Sequence, residues 1–428
     1  MAGIAALLPR EHNRRWLALG NLVNMTGTGA SLATLVVFLA DVKGLSLALA
    51  ASVLAAAGFV GILGAAPVGV LIDRVGAKIV AVVTEVVCAL AVLVLLGAPG
   101  TVWMVVALTV RQLSVTANTV ARATVMGRMG DAEDRVALRA YQRAVTNVGF
   151  GAGTLLSAAA VAIGTTEALV TVMCLDAASF LFGAFATARL HGTFPPGPSR
   201  DDESPGSRPT VLRDWRYVLL ALLNAVCSLN GVAAGLGVSF WVVYASDLPS
   251  WAVSVSYAVN TVLVVLLQVR FSQASATVRG SATSLRSAGL LAGVFCVLLA
   301  ISGELTGWVV WVPFLVAAVV ITVSEMWQSA AGWTLSYEFA NDRMLGAYQA
   351  VWHLTNDAVV KALGPLLVGL AVAQGAAGFG ALATAFCVLA LATPAVVSAL
   401  GRSRRPPGRR EPHVTPAARR RSSRRVAR

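Results

Sequence analysis

Ionisable side chains inside long apolar runs are the residues of this sequence that could carry chemistry. Glu325 is the clearest case, because it interrupts the apolar run 307–331 and begins the polar cluster Glu-Met-Trp-Gln-Ser. A lone carboxylate in low-dielectric surroundings is protonated more easily than one in water, so it could exchange a proton near neutral pH. The same carboxylate could instead anchor a cationic ligand or pair with Lys361, and the sequence leaves these alternatives open.

Two further positions place charge inside apolar runs. Arg111 lies in the middle of the run 101–123, where an unpaired charge is unfavourable. Pairing with a partner on the fifth or sixth helix would compensate this charge. His353, Asp357 and Lys361 are four residues apart and form one stripe along a helix. The stripe could pass protons, because histidine titrates near neutral pH, although a structural salt bridge is the simpler interpretation.

The sequence lacks the patterns that are typical of enzymes and of ATP-driven pumps. It contains no GxxxxGK[ST] loop, no HExxH, no GxSxG and no CxxC. The five cysteines fall in five separate apolar runs, as small core residues do, which argues against disulfides and metal ligands. We therefore expect no enzyme activity, no catalytic residue, no metal and no cofactor.

Long apolar runs must position these charged residues. The chain has 428 residues, of which 57% are hydrophobic and 12% are charged, whereas soluble domains carry about 25% charged residues. Most runs exceed the roughly 20 residues that a helix needs to cross a bilayer, and they are continuous rather than alternating, which favours helices over strands. We predict an all-α membrane protein with twelve transmembrane helices. They lie near 16–40, 45–71, 79–98, 101–123, 141–163, 167–189, 215–243, 249–271, 283–302, 307–331, 350–374 and 377–400.

Basic residues are distributed unevenly among the connections between the runs. When the connections are counted in order, Lys43 is the one basic residue assigned to the outer side. By the positive-inside rule both termini are predicted to be cytoplasmic, in a multi-pass protein of a cell membrane. The net charge of +13 lies mostly in the C-terminal tail, which we expect to be disordered and to attract anionic lipid rather than nucleic acid. The composition, rich in Ala, Val, Gly and Arg, is typical of a GC-rich bacterial genome.

The two halves of the chain resemble each other. The segment Asp134-Arg135 with Ala140-Tyr141-Gln142 recurs as Asp342-Arg343 with Ala347-Tyr348-Gln349, each copy joining the fourth and fifth runs of its half. This repeat indicates duplication of a six-helix unit. The predicted organisation is a cytoplasmic N-terminus 1–15, a six-helix bundle 16–190, a cytoplasmic linker 191–214, a second bundle 215–400 and an Arg-rich tail 401–428.

The connection between the second and third runs carries a motif that links the chain to a known family. Its residues are Gly69-Val-Leu-Ile-Asp73-Arg74-Val-Gly76-Ala-Lys78. The motif resembles the connection between helices 2 and 3 of the major facilitator superfamily of secondary transporters. The resemblance implies two pseudo-symmetric six-helix halves that alternately open a midplane site to either side. It also implies a conformational latch at Gly69, Asp73, Arg74, Gly76 and Lys78. In this latch Asp73 can face the positive N-terminal end of another helix, and Arg74 and Lys78 can hold Asp73 or Asp134. Alternatively, these charges only set the topology.

The resemblance further implies that spans 1, 4, 7 and 10 line a central cavity. Polar and aromatic residues of these spans are therefore candidates for contacting a solute, although they could equally form hydrogen bonds between helices. The candidates are Asn21, Asn24, Asn118, Asn224, Asn230, Trp241, Trp327 and Gln328. We expect a largely apolar cavity with few charges, which suits a small hydrophobic or amphipathic compound.

These observations together predict a secondary transporter, and the resemblance implies a monomer. The first hypothesis is proton-coupled efflux of such a compound, with Glu325, Arg111, Asp357 and His353 as candidates for proton coupling. The alternative within transport is uptake or facilitated diffusion of a metabolite. A sensor that does not transport, or a membrane-embedded enzyme, would be a different class.

Overall fold

The computed structural model describes residues 11–129, 132–192, 211–249 and 251–402. Within these ranges the secondary structure is helical and no strand occurs. Most of the predicted linker 191–214, most of the N-terminal segment 1–15 and nearly all of the tail 401–428 lie outside the described residues.

The first half of the chain forms six long helices, which follow the predicted runs. They are α1 (His12–Val37), α2 (Leu47–Val75), α3 (Ala77–Gly97), α4 (Thr101–Gly127), α5 (Ala132–Ile163) and α6 (Thr166–Ala188). A π-helical turn, Phe38–Val42, extends α1.

In the second half, two of the six helical segments are interrupted by π-helical turns. α7 consists of Trp215–Cys227, Leu229–Val232, the π-helical Ala233–Gly237 and Val238–Tyr244; α11 consists of Leu345–Asp357, the π-helical Ala358–Leu363 and Gly364–Ala373. The regular helices are α8 (Ala252–Gln273), α9 (Val278–Ser302), α10 (Trp311–Glu338) and α12 (Gly375–Arg402).

Local sequence explains where several of these helices begin. The side chains of Ser46, Thr165, Asp214 and Thr277 each accept a hydrogen bond from the backbone N–H three residues further on. Such caps satisfy a donor that the first turn of a helix leaves free. Between α2 and α3 the chain reverses at Gly76, whose φ of +101° is available to glycine at little cost.

The helices are long and apolar enough for a membrane protein. Among the described residues, nine helices meet the length and composition expected of a membrane span. The count rises to ten if the bent pair His12–Ser31 and Thr34–Val42 is one span. Large apolar side chains such as Leu155, Leu266 and Trp308 are at least 70% exposed on the outer surface, as lipid contact requires. The predicted number of twelve spans stays a prediction.

Contacts between the two halves involve matching helices. α2 packs against α11, and α5 packs against α8. Because α5 and α11 occupy the same place in their halves, as α2 and α8 do, the two contacts are related by the pseudo-symmetry of the fold. α5 also contacts α10, and this crossing positions the site described next.

Candidate functional site

A cavity of about 670 Å³ lies where α5 of the first half meets helices α7, α8, α10 and α11 of the second. Its wall combines charged, polar and aromatic side chains. They include Arg139, Arg143, Asn224, Ser228, Asn230, Tyr257, Glu325, Gln328, Trp333, Gln349, Trp352, His353 and Lys361. The wall is therefore more highly charged than the apolar cavity expected from the sequence.

Glu325 lies on this wall and forms an ion pair with the other half of the molecule. Its Oε2 is 3.5 Å from Nη2 of Arg143 on α5, and the side chains are 14% and 26% exposed respectively. Asn260 of α8 donates a hydrogen bond of 2.7 Å to the same oxygen. A Cβ at Gly231 would lie 3.0 Å from Oε1, so a glycine in α7 leaves room for the carboxylate. The structure thus pairs Glu325 with Arg143, which the sequence had not singled out, and not with Lys361.

In the predicted stripe on α11, His353 and Asp357 belong to the α-helical part and Lys361 to the π-helical turn that follows. Lys361 forms an ion pair with Asp357 and not with Glu325, with 2.8 Å between Nζ and Oδ2. His353 lies on the cavity wall, and its Nε2 is buried without a hydrogen-bond partner among the described residues. The structure therefore places a salt bridge at one end of the stripe and an unsatisfied imidazole at the other.

Arg111 lies away from the cavity wall, within the first half. Its Nη2 is 3.1 Å from Oδ2 of Asp176 on α6, whose side chain is fully buried. The same nitrogen is 3.4 Å from the hydroxyl of Ser31, and the guanidinium lies over the ring of Phe180. This is the pairing with a neighbouring helix that the sequence left as the alternative to proton movement.

Three of the predicted cavity residues lie on the wall. Gln328 donates hydrogen bonds to Asn224 at 3.1 Å and to Ser228 at 2.7 Å, joining α10 to α7. Asn230 also lines the cavity, and its amide donates to Ser324 at 2.9 Å. These amides are already engaged between helices, so they shape the wall as well as face the space.

The other predicted cavity residues lie elsewhere. Asn21 donates to the carbonyl of Gln142 on α5, and Asn118 donates to the carbonyl of Ala81 on α3, both at 3.0 Å. Asn24 is buried in α1. The remaining two are aromatic: Trp241 is 1% exposed and stacks on Phe314, and Trp327 packs against Phe271.

The predicted latch residues lie at one end of the bundle, which we call the Asp73 face. Both carboxylate oxygens of Asp73 accept backbone hydrogen bonds of 2.9 Å from Gly346 and Ala347 in the first turn of α11. A carboxylate is favoured there by the unpaired N–H groups and the dipole of the helix. Gly69 allows the close approach, since a Cβ at this position would lie 2.6 Å from the Cβ of Ala350.

The basic latch residues act differently from the expectation. Lys78 donates to the carbonyl of Leu190 at 2.8 Å, within its own half, and Arg74 is exposed. Asp134 pairs with Arg14 at 2.7 Å. The carboxylate of Asp73 is thus held by the backbone of α11, and Gly76 forms the turn beside it.

A second contact closes the Asp73 face beside the cavity. The hydroxyl of Tyr337 on α10 donates to the carbonyl of Ala123 on α4 at 2.7 Å. Arg139 donates to the same hydroxyl from Nε at 2.8 Å and from a second guanidinium nitrogen. Arg139 therefore lines the cavity and also binds Tyr337 at the Asp73 face.

The sequence profile described as Major Facilitator Superfamily matches residues 17–365. The chain belongs to the Major Facilitator Superfamily. Membership makes it a multi-pass membrane transporter rather than an enzyme. A search of curated proteins by sequence finds no match.

Solved structures with the same fold are similar over nearly their whole length. A bacterial homologue of the iron transporter ferroportin, in an outward-facing state, has a TM-score of 0.66 at 16% identity, covering 92% of this chain and 100% of that one. The human organic anion transporter MFSD10 gives 0.63 at 15%, with coverages of 91% and 100%. A peptide transporter variant in complex with alafosfalin gives 0.61 at 18%, with coverages of 94% and 98%. At these identities the similarity establishes the fold alone.

Proposed function

We propose that this transporter couples the movement of a small amphipathic solute to a proton that Glu325 exchanges. The ion pair between Glu325 and Arg143 carries the proposal, because it joins the two halves on the cavity wall. Protonation neutralises one partner of this pair, and a solute bound beside it competes for the other. Proton binding and solute binding therefore act on one contact between the halves, which makes them thermodynamically linked.

The charge of the solute determines the direction of coupling. A cation on Glu325 excludes the proton from the same carboxylate, which is the condition for the proton-coupled efflux predicted from the sequence. An anion on Arg143 deprives Glu325 of its partner and favours protonation, so that solute and proton cross together. Lys361 is paired with Asp357, but Arg139 and Arg143 still outnumber Glu325 on the wall, which favours this second arrangement. We therefore propose cotransport; efflux is the second candidate, because Glu325 keeps 14% exposure and is open to a cation.

Alternating access requires contacts that form in one state and break in the other. The hydrogen bonds from α11 to Asp73 and from Tyr337 to α4 join the halves at the Asp73 face. We propose that they form the closed gate of the cytoplasmic side, since Lys78 and Arg74 lie there and basic residues favour that side. Both termini then lie in the cytoplasm of a cell that carries the protein in its plasma membrane. The tail would bind anionic lipid, and a monomer would suffice because the cavity lies within one chain.

The test uses proteoliposomes that enclose a pH-sensitive dye. A panel of amphipathic cations and anions is added from one side, and the proton movement evoked by each solute is recorded for the wild type and for Glu325→Gln. Glu304→Gln is the matched control, because it neutralises an exposed carboxylate in the connection between α9 and α10.

We expect certain solutes to carry protons in the same direction as themselves, and Glu325→Gln to abolish the proton movement while the control retains it. Proton movement opposite to the solute would establish efflux by antiport. Solute transport without proton movement in wild type and variant alike would refute proton coupling.

A further inference from the structure

Two arginines on one face of α5 set the charge of the cavity. Arg139 and Arg143 are separated by one helical turn, so their side chains project from the same side of the helix. Both line the cavity, and both are only partly buried. Two guanidinium groups therefore face a single space of about 670 Å³.

The acids on the described part of the chain do not compensate both groups. Lys361 is neutralised by Asp357 at 2.8 Å. Arg143 has Glu325 at 3.5 Å, which is longer than the roughly 2.7–2.9 Å of a strong charge-assisted hydrogen bond. Arg139 has the hydroxyl of Tyr337 as its polar partner, and no carboxylate of the described residues lies within 4.0 Å of it. One positive charge on the wall, that of Arg139, is thus left without a carboxylate partner among the described residues, and only the hydroxyl of Tyr337 accepts from it.

A third polar group near these arginines lacks a partner. Nε2 of His353, on α11, is buried and makes no hydrogen bond among the described residues. His353 and Arg139 both line the cavity, so the two groups face the same space. A guanidinium without an anion beside a ring nitrogen without a partner is an arrangement that a bound acid group would satisfy.

Apolar side chains complete the cavity wall. Trp333, Trp352, Val360 and Pro365 supply aromatic and aliphatic surface. The volume falls within the range of about 300–1,000 Å³ that is typical of sites for small organic molecules. An occupant would therefore need an acidic head group and an apolar body.

We propose that Arg139 and Arg143 form an anion subsite, and that the transported solute is a small amphipathic organic anion such as an aromatic carboxylate. The inference rests on the proposed transport function and specifies its substrate class. Guanidinium groups bind carboxylates through two parallel hydrogen bonds, which fixes the head group on α5. An anion on Arg143 competes with Glu325 for that guanidinium, and the released carboxylate binds a proton, so anion and proton strengthen each other's binding by the same factor.

The test measures binding to the full-length protein in detergent by the shift in melting temperature. The probes share one skeleton and differ in charge: 2-naphthoate, its neutral amide and 2-naphthylmethylamine, followed by the matching sulfonate. The variants are Arg139→Gln and Arg143→Gln, with Arg139→Lys and Arg143→Lys to retain charge. Arg279→Gln is the matched control, because Arg279 is exposed at the start of α9.

We expect the carboxylate or the sulfonate to stabilise the wild type, and each Gln variant to weaken that binding at least roughly tenfold, the value of one lost ionic contact. The Lys variants should recover part of it, the control should match the wild type, and the amide should bind weakly to every variant. The melting temperature without ligand identifies a Gln variant that has lost its fold. In that case the Lys variant at the same position is compared with the wild type instead.

The inference is overturned if neither anion stabilises the wild type, if the amine binds more tightly than the anions, or if the Gln and Lys variants bind anions as the wild type does. Failure of the proposed function is distinguishable. If anion binding depends on the arginines but the bound anion moves no protons in proteoliposomes, the subsite stands and proton coupling fails. If the amine binds and moves protons through Glu325, coupling stands and the anion subsite fails.

Discussion

The hydrogen bonds between Asp73 and α11 provide a direct test of the proposed gate. Asp73→Asn keeps the size of the side chain, removes its charge and replaces one acceptor oxygen by a donor. One of the two 2.9 Å bonds, from Gly346 or Ala347, is therefore lost. A hydrogen bond to a charged group contributes about 1.5–3 kcal/mol. The favourable field at the helix N-terminus adds about 0.3–1 kcal/mol for a carboxylate.

The loss of these contributions in Asp73→Asn favours the open state of the Asp73 face by about 2–4 kcal/mol. Since 1.4 kcal/mol corresponds to a factor of ten, the equilibrium between closed and open states should shift roughly 30- to 700-fold. A shift of this size converts a gate that is almost always closed into one that opens frequently.

Thiol labelling from the Asp73 face measures this shift. Ala347→Cys, in a background without the native cysteines, places a thiol at a position that is 9% exposed in the closed state. Its rate of reaction with a maleimide that cannot cross the membrane is proportional to the open population. We expect at least roughly 30-fold faster labelling with Asp73→Asn. The control is Asp342→Asn, which neutralises an exposed acid on the same face. An unchanged rate, or equal acceleration by the control, would refute the gate.

Three further substitutions probe contacts between and within the halves. Gly69→Val adds atoms where even a Cβ would lie 2.6 Å from α11; labelling in the same assay should accelerate, and an unchanged rate would contradict the close contact. Tyr337→Phe removes a hydroxyl that donates to α4 at 2.7 Å. The closed state should be destabilised by about 1–3 kcal/mol, which the same assay detects as faster labelling; slower labelling would contradict this prediction. Arg111→Gln leaves Asp176 buried without its partner, so the free energy of unfolding should fall by about 3–5 kcal/mol, while the folded fraction keeps its solute-evoked proton movement. Loss of proton movement at unchanged stability would instead return Arg111 to coupling.

The fold was predictable because continuous apolar runs predict membrane-spanning helices and the basic connections predict their orientation. Hydropathy did not predict where α5 begins. The sequence predicted a span at 141–163, whereas the helix already begins at Ala132. Arg139 therefore belongs to the helix and faces the cavity, although it lies outside the predicted span. Hydropathy predicts the part of a helix that lies in lipid. It does not predict the polar turns by which the same helix extends beyond the lipid.

The site was predictable only in part. Glu325 attracted attention because a carboxylate in an apolar run is conspicuous, and the structure places it on the cavity wall. Its partner Arg143 belongs to the other half of the chain, so the pair depends on how two separate bundles pack. A signal for the arginines existed, since Arg139 and Arg143 share one helical face.

Polar residues in apolar runs are a weak guide to a cavity. Asn21 and Asn118 bind backbone carbonyls of neighbouring helices, as buried amides in membranes must. Gln328 instead donates from α10 to the side chains of Asn224 and Ser228 on α7, yet Gln328 and Asn224 also face the cavity. The sequence cannot separate these cases, because both require the same side chain at the same depth.

The internal repeat shows how two equivalent helices acquired different roles. In the register set by the repeated Ala-Tyr-Gln, Arg139 of α5 corresponds to Gly346 of α11, and Arg143 corresponds to Ala350. The small residues of α11 allow α2 to approach, so that Gly346 donates to Asp73 across the closed face. The arginines of α5 instead face the cavity.

The two positions are not interchangeable between the related helices. A guanidinium at Ala350 would meet Gly69, whose missing Cβ already defines the closest approach of α2 and α11. A small residue at Arg143 would leave Glu325 without the ion pair that joins it to the other half. The loss of sequence symmetry at these two positions therefore gives α11 the small residues that contact α2 and gives α5 two arginines of the cavity wall.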